Sequence, residues 1–549
     1  MQKLQVYIVV SGRRGEAHLT RNPEHLNRAK TIIVSEPQPS WQAYLALRQW
    51  EKRLQGRLKQ FWLRFAALRY VDHPPLRCSE KTTAGPVLDD IVNLVSGYLI
   101  TEERLFKTLR ARGFWPADLS RALDRGVQKG ILKQLPGIRQ EPWGRQLCSR
   151  CGGVDIIRQP CANCGLKDCP LCRTCSAMGA NRGCTTLITA QEAGGEKEAS
   201  PTPLSLTYDL TPRQAEAAEK LLEFWQGKKK RALLWAACGA GKTEVSFPLI
   251  QKALSQGERV LFAIPRADIV REVGERLRQA FPKTSVAVHY GGQPLFAPGK
   301  LVVATTHQVL RFYRRFGLIV LDEVDAFPYR GSEMLRFGLQ RSLAHRGKLV
   351  EMTATPQSLR QRAELITIPV RFHGQPLPVP AIKISPLPAW DELSLKEFPA
   401  SVLELVEKGE HPWLVFAPTI AACEAIYKLL RSASGKRVGI CHSKHPQRLN
   451  TISRLRQETL DIVVTTSVLE RGVNFPRIGV VVLYAEHAVF SADTLVQIAG
   501  RVGRTAESPG GTVLFLGRQK TSDMRRAVHL IRRLNEEAAR RGLLADETS

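Results

Sequence analysis

The chain has 549 residues, with 80 Lys and Arg against 51 Asp and Glu and a formal net charge of +29. That length exceeds one hydrophobic core and calls for about three to five domains. The charge excludes an acidic or neutral cytosolic enzyme and favours a polyanionic partner, nucleic acid or an anionic membrane face. Residues 1–144 carry 24 basic and 13 acidic side chains, so the excess is spread along the chain and not gathered in a tail. At 43% hydrophobic and 24% charged residues, the composition is that of a folded soluble protein.

In chain order, the apolar run Val6 to Val10 is too short for a signal-peptide core and reads as a strand. No run of about 18 apolar residues follows, so the expectation is a cytoplasmic protein that does not span a membrane. Residues 1–84 form a basic N-terminal region, in which Trp41 to Tyr70 reads as a helix with one basic and one apolar face. Residues 85–145 read as a small helical module. Thr101-Glu102-Glu103 starts a helix, Gly113 stops it, Asp118-Leu119-Ser120 starts another, and Gly130 to Ile138 reads as a hairpin. Helix, turn, helix, hairpin is the outline of a winged helix.

Residues 146–186 hold eight of the twelve cysteines: Cys148, Cys151, Cys161, Cys164, Cys169, Cys172, Cys175 and Cys184. A Cys-X-X-Cys turn presents two thiolates to one tetrahedral ion, and glycine after the second Cys, as in Cys151-Gly152 and Cys164-Gly165, relaxes the turn. Two pairs close a Zn2+ site with no open position, so the zinc is structural. Eight thiols are enough for one or two ions. Cys148/Cys151 with Cys161/Cys164 is the simplest first site, and a crossed arrangement using Cys172/Cys175 is equally allowed. Cys78, Cys238, Cys423 and Cys441 stand alone and read as buried small apolar residues. Residues 187–206, rich in Ala, Gly, Glu, Ser and Pro, read as a linker.

From residue 207, buried-strand runs (RALLWAA, RVLFAIP, KLVVATT, GLIVLDE, KLVEMTAT) alternate with helical segments, the rhythm of a doubly wound parallel α/β sheet. A proline-rich stretch interrupts it and a second series follows (HPWLVFAP, KRVGICHS, LDIVVTTS, GVVVLYAE, GTVLFLG). The fold class is therefore α/β, with two lobes, 207–383 and 384–520, and a basic C-terminal helix in 521–549. Residues 236–243, AACGAGKT, follow the first strand: Ala236, Ala237, Cys238, Gly239, Ala240, Gly241, Lys242 and Thr243. A glycine-bearing strand-to-helix loop wraps phosphates with backbone N–H groups, Lys242 reaches the β/γ-phosphates and Thr243 ligates Mg2+. Glu244 completes the loop. The run LIVLDEVD ends a buried strand on Asp322 and Glu323, the first suited to Mg2+ and the second to orienting the attacking water.

These motifs resemble those of superfamily 2 nucleic-acid helicases and translocases, whose lobes are RecA-like. The resemblance covers about residues 207–520 and implies a DNA-stimulated ATP hydrolase using ATP and Mg2+. It assigns adenine reading to Gln214 in LTPRQ. Strand contacts fall to Pro265 and Arg266, to Thr305 and Thr306, and to Thr465 and Thr466. The TAT at Thr353 to Thr355 couples nucleotide state to grip. Gly472 and Asn474 (Asp in many relatives) and Gln497 contact nucleotide, and Arg501 and Arg504 in QIAGRVGR are arginine fingers.

A cysteine cluster before the first lobe, the string DEVDAFPY, TSVLERGVNFP and the cluster's tail CRTCSAMGANRGC together resemble the ComFA family of late competence proteins. That resemblance implies single-stranded DNA as substrate and ComFC and ComEC as partners. It also implies peripheral attachment to the inner face of the cell membrane, and it leaves oligomerisation open. Two alternatives differ. In PriA-type replication-restart helicases the cysteines lie within the helicase core and the second motif ends in His, where Asp325 stands here. A DNA-binding scaffold with a vestigial NTPase would not need Lys242, Asp322, Glu323, Arg501 and Arg504 together.

Overall fold

The computed structural model describes residues 5–11, 14–20, 31–33, 84–141, 144–190, 199–294, 296, 299–355, 363–394, 396–409, 412–470, 475 and 477–545. The expected helix over 41–70, Cys78, Gly472 and Asn474 lie outside the described residues.

The first lobe is a seven-stranded, all-parallel sheet. Its strands are β1 Arg231–Ala236, β2 Val260–Ile264, β3 Val286–His289, β4 Leu301–Thr305, β5 Phe316–Leu321, β6 Leu343–Thr353 and β7 Glu364–Ile368. They lie in the order 3-4-2-5-6-1-7. The second lobe has six parallel strands, β8 Ala381–Ile384, β9 Trp413–Phe416, β10 Val438–Cys441, β11 Ile462–Thr465, β12 Gly479–Leu483 and β13 Val513–Gly517, ordered 8-13-12-9-11-10. Pairing of Ala381 with Leu514 moves the start of this lobe ahead of the expected residue 384.

Both faces of the first sheet are covered, which is why its strands read as unbroken apolar runs. Alternation settles which face each residue serves. Val260, Phe262 and Ile264 join the core shared with helices Pro212–Gln226, Phe247–Ser255 and Ala267–Ala280. Leu261 and Ala263 point the other way, into a second core with Ile91, Leu105, Leu119, Cys148 and Cys175. The cysteine-bearing N-terminal module thus packs directly on the back of the first lobe.

That module has helices Ala84–Val95, Glu102–Arg110 and Pro116–Gln128. The expected start at Thr101 holds, its hydroxyl accepting from the Arg104 N–H at 3.3 Å, whereas the next helix begins at Pro116, after Trp115, ahead of the expected Asp118. The expected hairpin at 130–138 does not form. Leu132–Pro136 pairs antiparallel with Thr186–Ala190, which also pairs with Ile100–Thr101, while Ile138–Gln140 pairs with Gln146–Cys148. Two strands joined only through Gly137 leave too short a turn for self-pairing, and the partner strand arrives from beyond the cysteines. Thr186–Ala190 is fully buried, so the segment expected to be linker from 187 begins as a strand. Its composition, TLITA, with three β-branched residues, suits the central strand of this three-stranded sheet.

The C-terminal helix Ser522–Arg540 packs on Ala492–Ala499 of the second lobe and reaches the first, with Arg533 over the Trp235 ring at 5.3 Å. No helix of the described residues is long and apolar enough to cross a membrane.

Candidate functional site

The carboxyl ends of β1, β2, β4 and β5 bring the motifs to one edge, where open parallel sheets bind ligands. The turn after β1 is anchored by Ala237 N–H to Ile368 C=O at 2.8 Å, and by Ala240 N–H to Ala237 C=O at 3.0 Å. It then enters the helical turn Lys242–Val245. Gly241 has φ +73° and a Cβ there would stand 2.3 Å from Gln214 Nε2, so only glycine fits. Gln214 is buried and uses both ends of its amide: Nε2 donates to Ala240 C=O at 3.0 Å, and Oε1 accepts from Thr211 N–H at 2.9 Å. The residue expected to read adenine therefore also staples the phosphate loop to its neighbouring helix.

A cleft of about 670 Å³ opens beside this loop, lined by Gln214, Lys242, Thr243, Asp322 and Glu323 from the first lobe and by Gln497, Arg501 and Arg504 from the second. Asp322 follows β5 directly, and its Oδ1 accepts from Glu323 N–H at 2.8 Å. Glu323 has φ +54°, a left-handed conformation costing a non-glycine residue about 1 kcal/mol or more, held at the turn that follows β5. Asp325 is buried and accepts from the Thr353 hydroxyl at 2.7 Å, joining the acidic motif to TAT. Thr243 and Asp322 line the same cleft and offer oxygen donors of the kind Mg2+ takes.

Arg501 is fully buried, its Nε donating to Glu470 C=O at 3.0 Å. Burial first and the Arg504 charge second pull its pKa well below the usual arginine range, with Glu323 opposing. Burial likewise lowers Arg504, whose Nε donates to Gly500 C=O at 2.9 Å. Arginines stripped of water beside the cleft are poised for a polyanion. Sequence reasoning missed Tyr208, Phe372, Arg456 and Arg276, which line the same cleft. Arg276 makes an ion pair with Glu244. Only their fold neighbours bring them to the nucleotide motifs, so no local spacing signals them.

The six expected strand contacts divide. Arg266 reaches the surface and bonds Asp268 at 3.2 Å and Val468 C=O across the lobes at 3.2 Å, and Thr466 is half-buried. Pro265, Thr305, Thr306 and Thr465 are buried, and the Thr465 hydroxyl is turned to Cys441 C=O at 2.8 Å.

The eight clustered cysteines resolve into two sets of four, Cys148, Cys151, Cys172 and Cys175, and Cys161, Cys164, Cys169 and Cys184. The crossed arrangement is the one adopted. Neighbouring sulfurs stand 3.6 Å (Cys151–Cys172), 3.7 Å (Cys148–Cys175 and Cys161–Cys184) and 3.9 Å (Cys169–Cys184) apart. A tetrahedron with Zn–S bonds of about 2.3 Å has edges of about 3.8 Å, so the residues fit zinc. N–H groups point at the sulfurs: Arg150 Nη2 lies 3.0 Å from Cys175 Sγ, and Asn181 Nδ2 lies 3.0 Å from Cys148 Sγ. Such donors stabilise thiolates, as outer partners of a metal site do. Arg341 of the first lobe grips the knuckle from below, donating to Ser149 C=O at 3.0 Å, to Arg150 C=O and to Leu310 C=O at 2.6 Å.

Comparison with known proteins adds the family. Residues 100–189 match "Competence protein ComFA N-terminal domain", 207–358 match "Type III restriction enzyme, res subunit", and 398–506 match "Helicase conserved C-terminal domain". Competence protein ComFA of Bacillus subtilis is 34% identical over 460 residues, 80% of this chain and 96% of that protein. The chain belongs to the ComFA family. Its Streptococcus pneumoniae member is 33% identical over 75% of this chain and 95% of its own length. Among solved structures, S. cerevisiae Dbp5 bound to RNA and ADP BeF3 is 16% identical over 59% of this chain and 91% of that one, with a TM-score of 0.44. The paired helicase domains of a ComFA member imply ATP-driven activity with Mg2+.

Proposed function

We propose that the chain is a DNA-stimulated ATP hydrolase that pulls single-stranded DNA inward during DNA uptake in natural competence. The observation that carries this reading is the two-sided cleft: Lys242, Thr243, Asp322 and Glu323 on one wall and Arg501 and Arg504 on the other. Lys242 and the loop N–H groups bind the phosphates, Glu323 orients the attacking water and takes its proton, and the two arginines stabilise the charge that develops. Mg2+, held by Thr243 and Asp322, neutralises phosphate charge. Because the arginines belong to the other lobe, hydrolysis requires closure. The Asp325–Thr353 bond and the Arg266–Val468 bond give closure a route to the strand-facing edge.

Family membership supports single-stranded DNA as the strand moved, ComFC and ComEC as partners, and a peripheral place on the inner membrane face, which the +29 charge suits. Zinc in both four-thiol sets is structural.

The test is ATP turnover with single-stranded and duplex DNA. Single strands should stimulate the wild type, while Lys242→Ala and Glu323→Gln should abolish turnover and still bind DNA. Unchanged hydrolysis in either variant would remove the reading.

A further inference from the structure

Just past β7, Arg371 is fully buried, and it lies outside the nucleotide and strand-contact motifs read from the sequence. Its Nε donates to Cys238 C=O of the phosphate loop at 3.2 Å. The other end of the guanidinium crosses to the second lobe, where Nη1 donates to Gly503 C=O and Nη2 reaches Gly500 C=O at 3.5 Å. These two carbonyls flank Arg501, and Gly503 immediately precedes Arg504. His373, two residues on, has Nε2 3.2 Å from the same Gly503 oxygen.

We propose that Arg371 is a positioning residue that fastens the phosphate loop to the arginine-bearing turn of the second lobe, so that the finger arginines are aimed only when the lobes are closed on a polyphosphate. The inference rests on the ATPase reading and deepens it.

Three observations carry it. The planar guanidinium spans two lobes with several donors, a task that a point-charge ammonium cannot do. Its partners are main-chain carbonyls, so the contact fixes the backbone of both turns whatever their side chains. No carboxylate pairs with Arg371 among the described residues. Burial holds its pKa down at about 10, with Arg504 adding repulsion. Arg371 thus stands as a third guanidinium with Arg501 and Arg504 beside the cleft, where Glu323 already opposes the lowering of the two finger arginines. The negative phosphates of a bound nucleotide add opposite charge beside these guanidiniums, so nucleotide favours the latched arrangement further. Phosphate binding to the loop alone needs only the first lobe, whereas transition-state stabilisation needs the latch.

The experiment compares wild type with Arg371→Lys, which keeps charge and stem but cannot bridge both turns, and with Arg371→Met, which removes the charge. Steady-state ATP turnover is measured with saturating single-stranded DNA. Hydrogen exchange of the 498–504 segment is followed with and without Mg2+ and AMP-PNP, and circular-dichroism melting checks folding. Both variants should keep KM within about threefold while kcat falls about 30-fold or more, the signature of an interaction made only on the way to the transition state. AMP-PNP should protect residues 498–504 in the wild type and not in either variant. Turnover within threefold of wild type, or KM and kcat/KM worsening together with kcat unchanged, would overturn the proposal. So would equal AMP-PNP protection in wild type and Arg371→Lys. A wild type without turnover would end the ATPase reading, and the exchange measurement would still decide the latch.

Discussion

Replacing Gly241 by alanine should weaken nucleotide binding by an amount the structure sets. Gly241 sits at φ +73°, where a side chain costs about 1–2 kcal/mol. The added Cβ would lie 2.3 Å from Gln214 Nε2, inside contact distance, and must push the amide off Ala240 C=O. That bond contributes about 1 kcal/mol. In the empty protein the loop can relax and escape both penalties. Phosphate binding requires the wrapped conformation and restores them, so the loss appears in affinity and not in folding. The sum of about 2–3 kcal/mol corresponds to about 30- to 150-fold in Kd. Fluorescence titration with a labelled ATP analogue and Mg2+ measures it, with Gln214→Ala as the partial loss of about tenfold or less. A Gly241→Ala affinity within threefold of wild type would refute the argument that the left-handed turn and the glutamine staple shape the phosphate cradle.

Metal analysis of the purified chain should find two zinc ions. Cys172→Ser should remove one, leaving the site of Cys161, Cys164, Cys169 and Cys184 loaded, and Cys169→Ser should do the reverse; loss of both ions from either variant would contradict two separate sites. Arg341→Met should lower stability by about 3–5 kcal/mol, because it strands the buried carbonyls of Ser149, Arg150 and Leu310, and should loosen the zinc module from the first lobe. Urea denaturation followed by tryptophan fluorescence reads this, and a midpoint unchanged from wild type would show that the grip contributes nothing.

Chemistry that depends on contiguous residues was legible in the chain itself. Phosphate wrapping needs a strand, a short glycine turn and a lysine in sequence, so AACGAGKT after RALLWAA announced its own geometry. The acidic pair at the end of a buried strand and the paired Cys-X-X-Cys turns did the same. Apolar runs without alternation foretold sheets covered on both faces. The tertiary structure alone decided whatever depends on which distant segments meet. Two thiol pairs fit one ion equally well in several combinations, and only the fold chose Cys148/Cys151 with Cys172/Cys175. Leu132–Pro136 found its partner in Thr186–Ala190 across the whole cysteine segment because a strand's free edge is satisfied by any neighbour that arrives, not by the nearest in sequence. Thr465, read from the sequence as a strand contact, is buried at the end of its β-strand with its hydroxyl bonded to Cys441 C=O, a burial no local spacing signals. Arg371 carries no motif at all: its role exists only because closure sets the carbonyls of Cys238, Gly500 and Gly503 around one guanidinium, and distances between lobes are not written in local sequence.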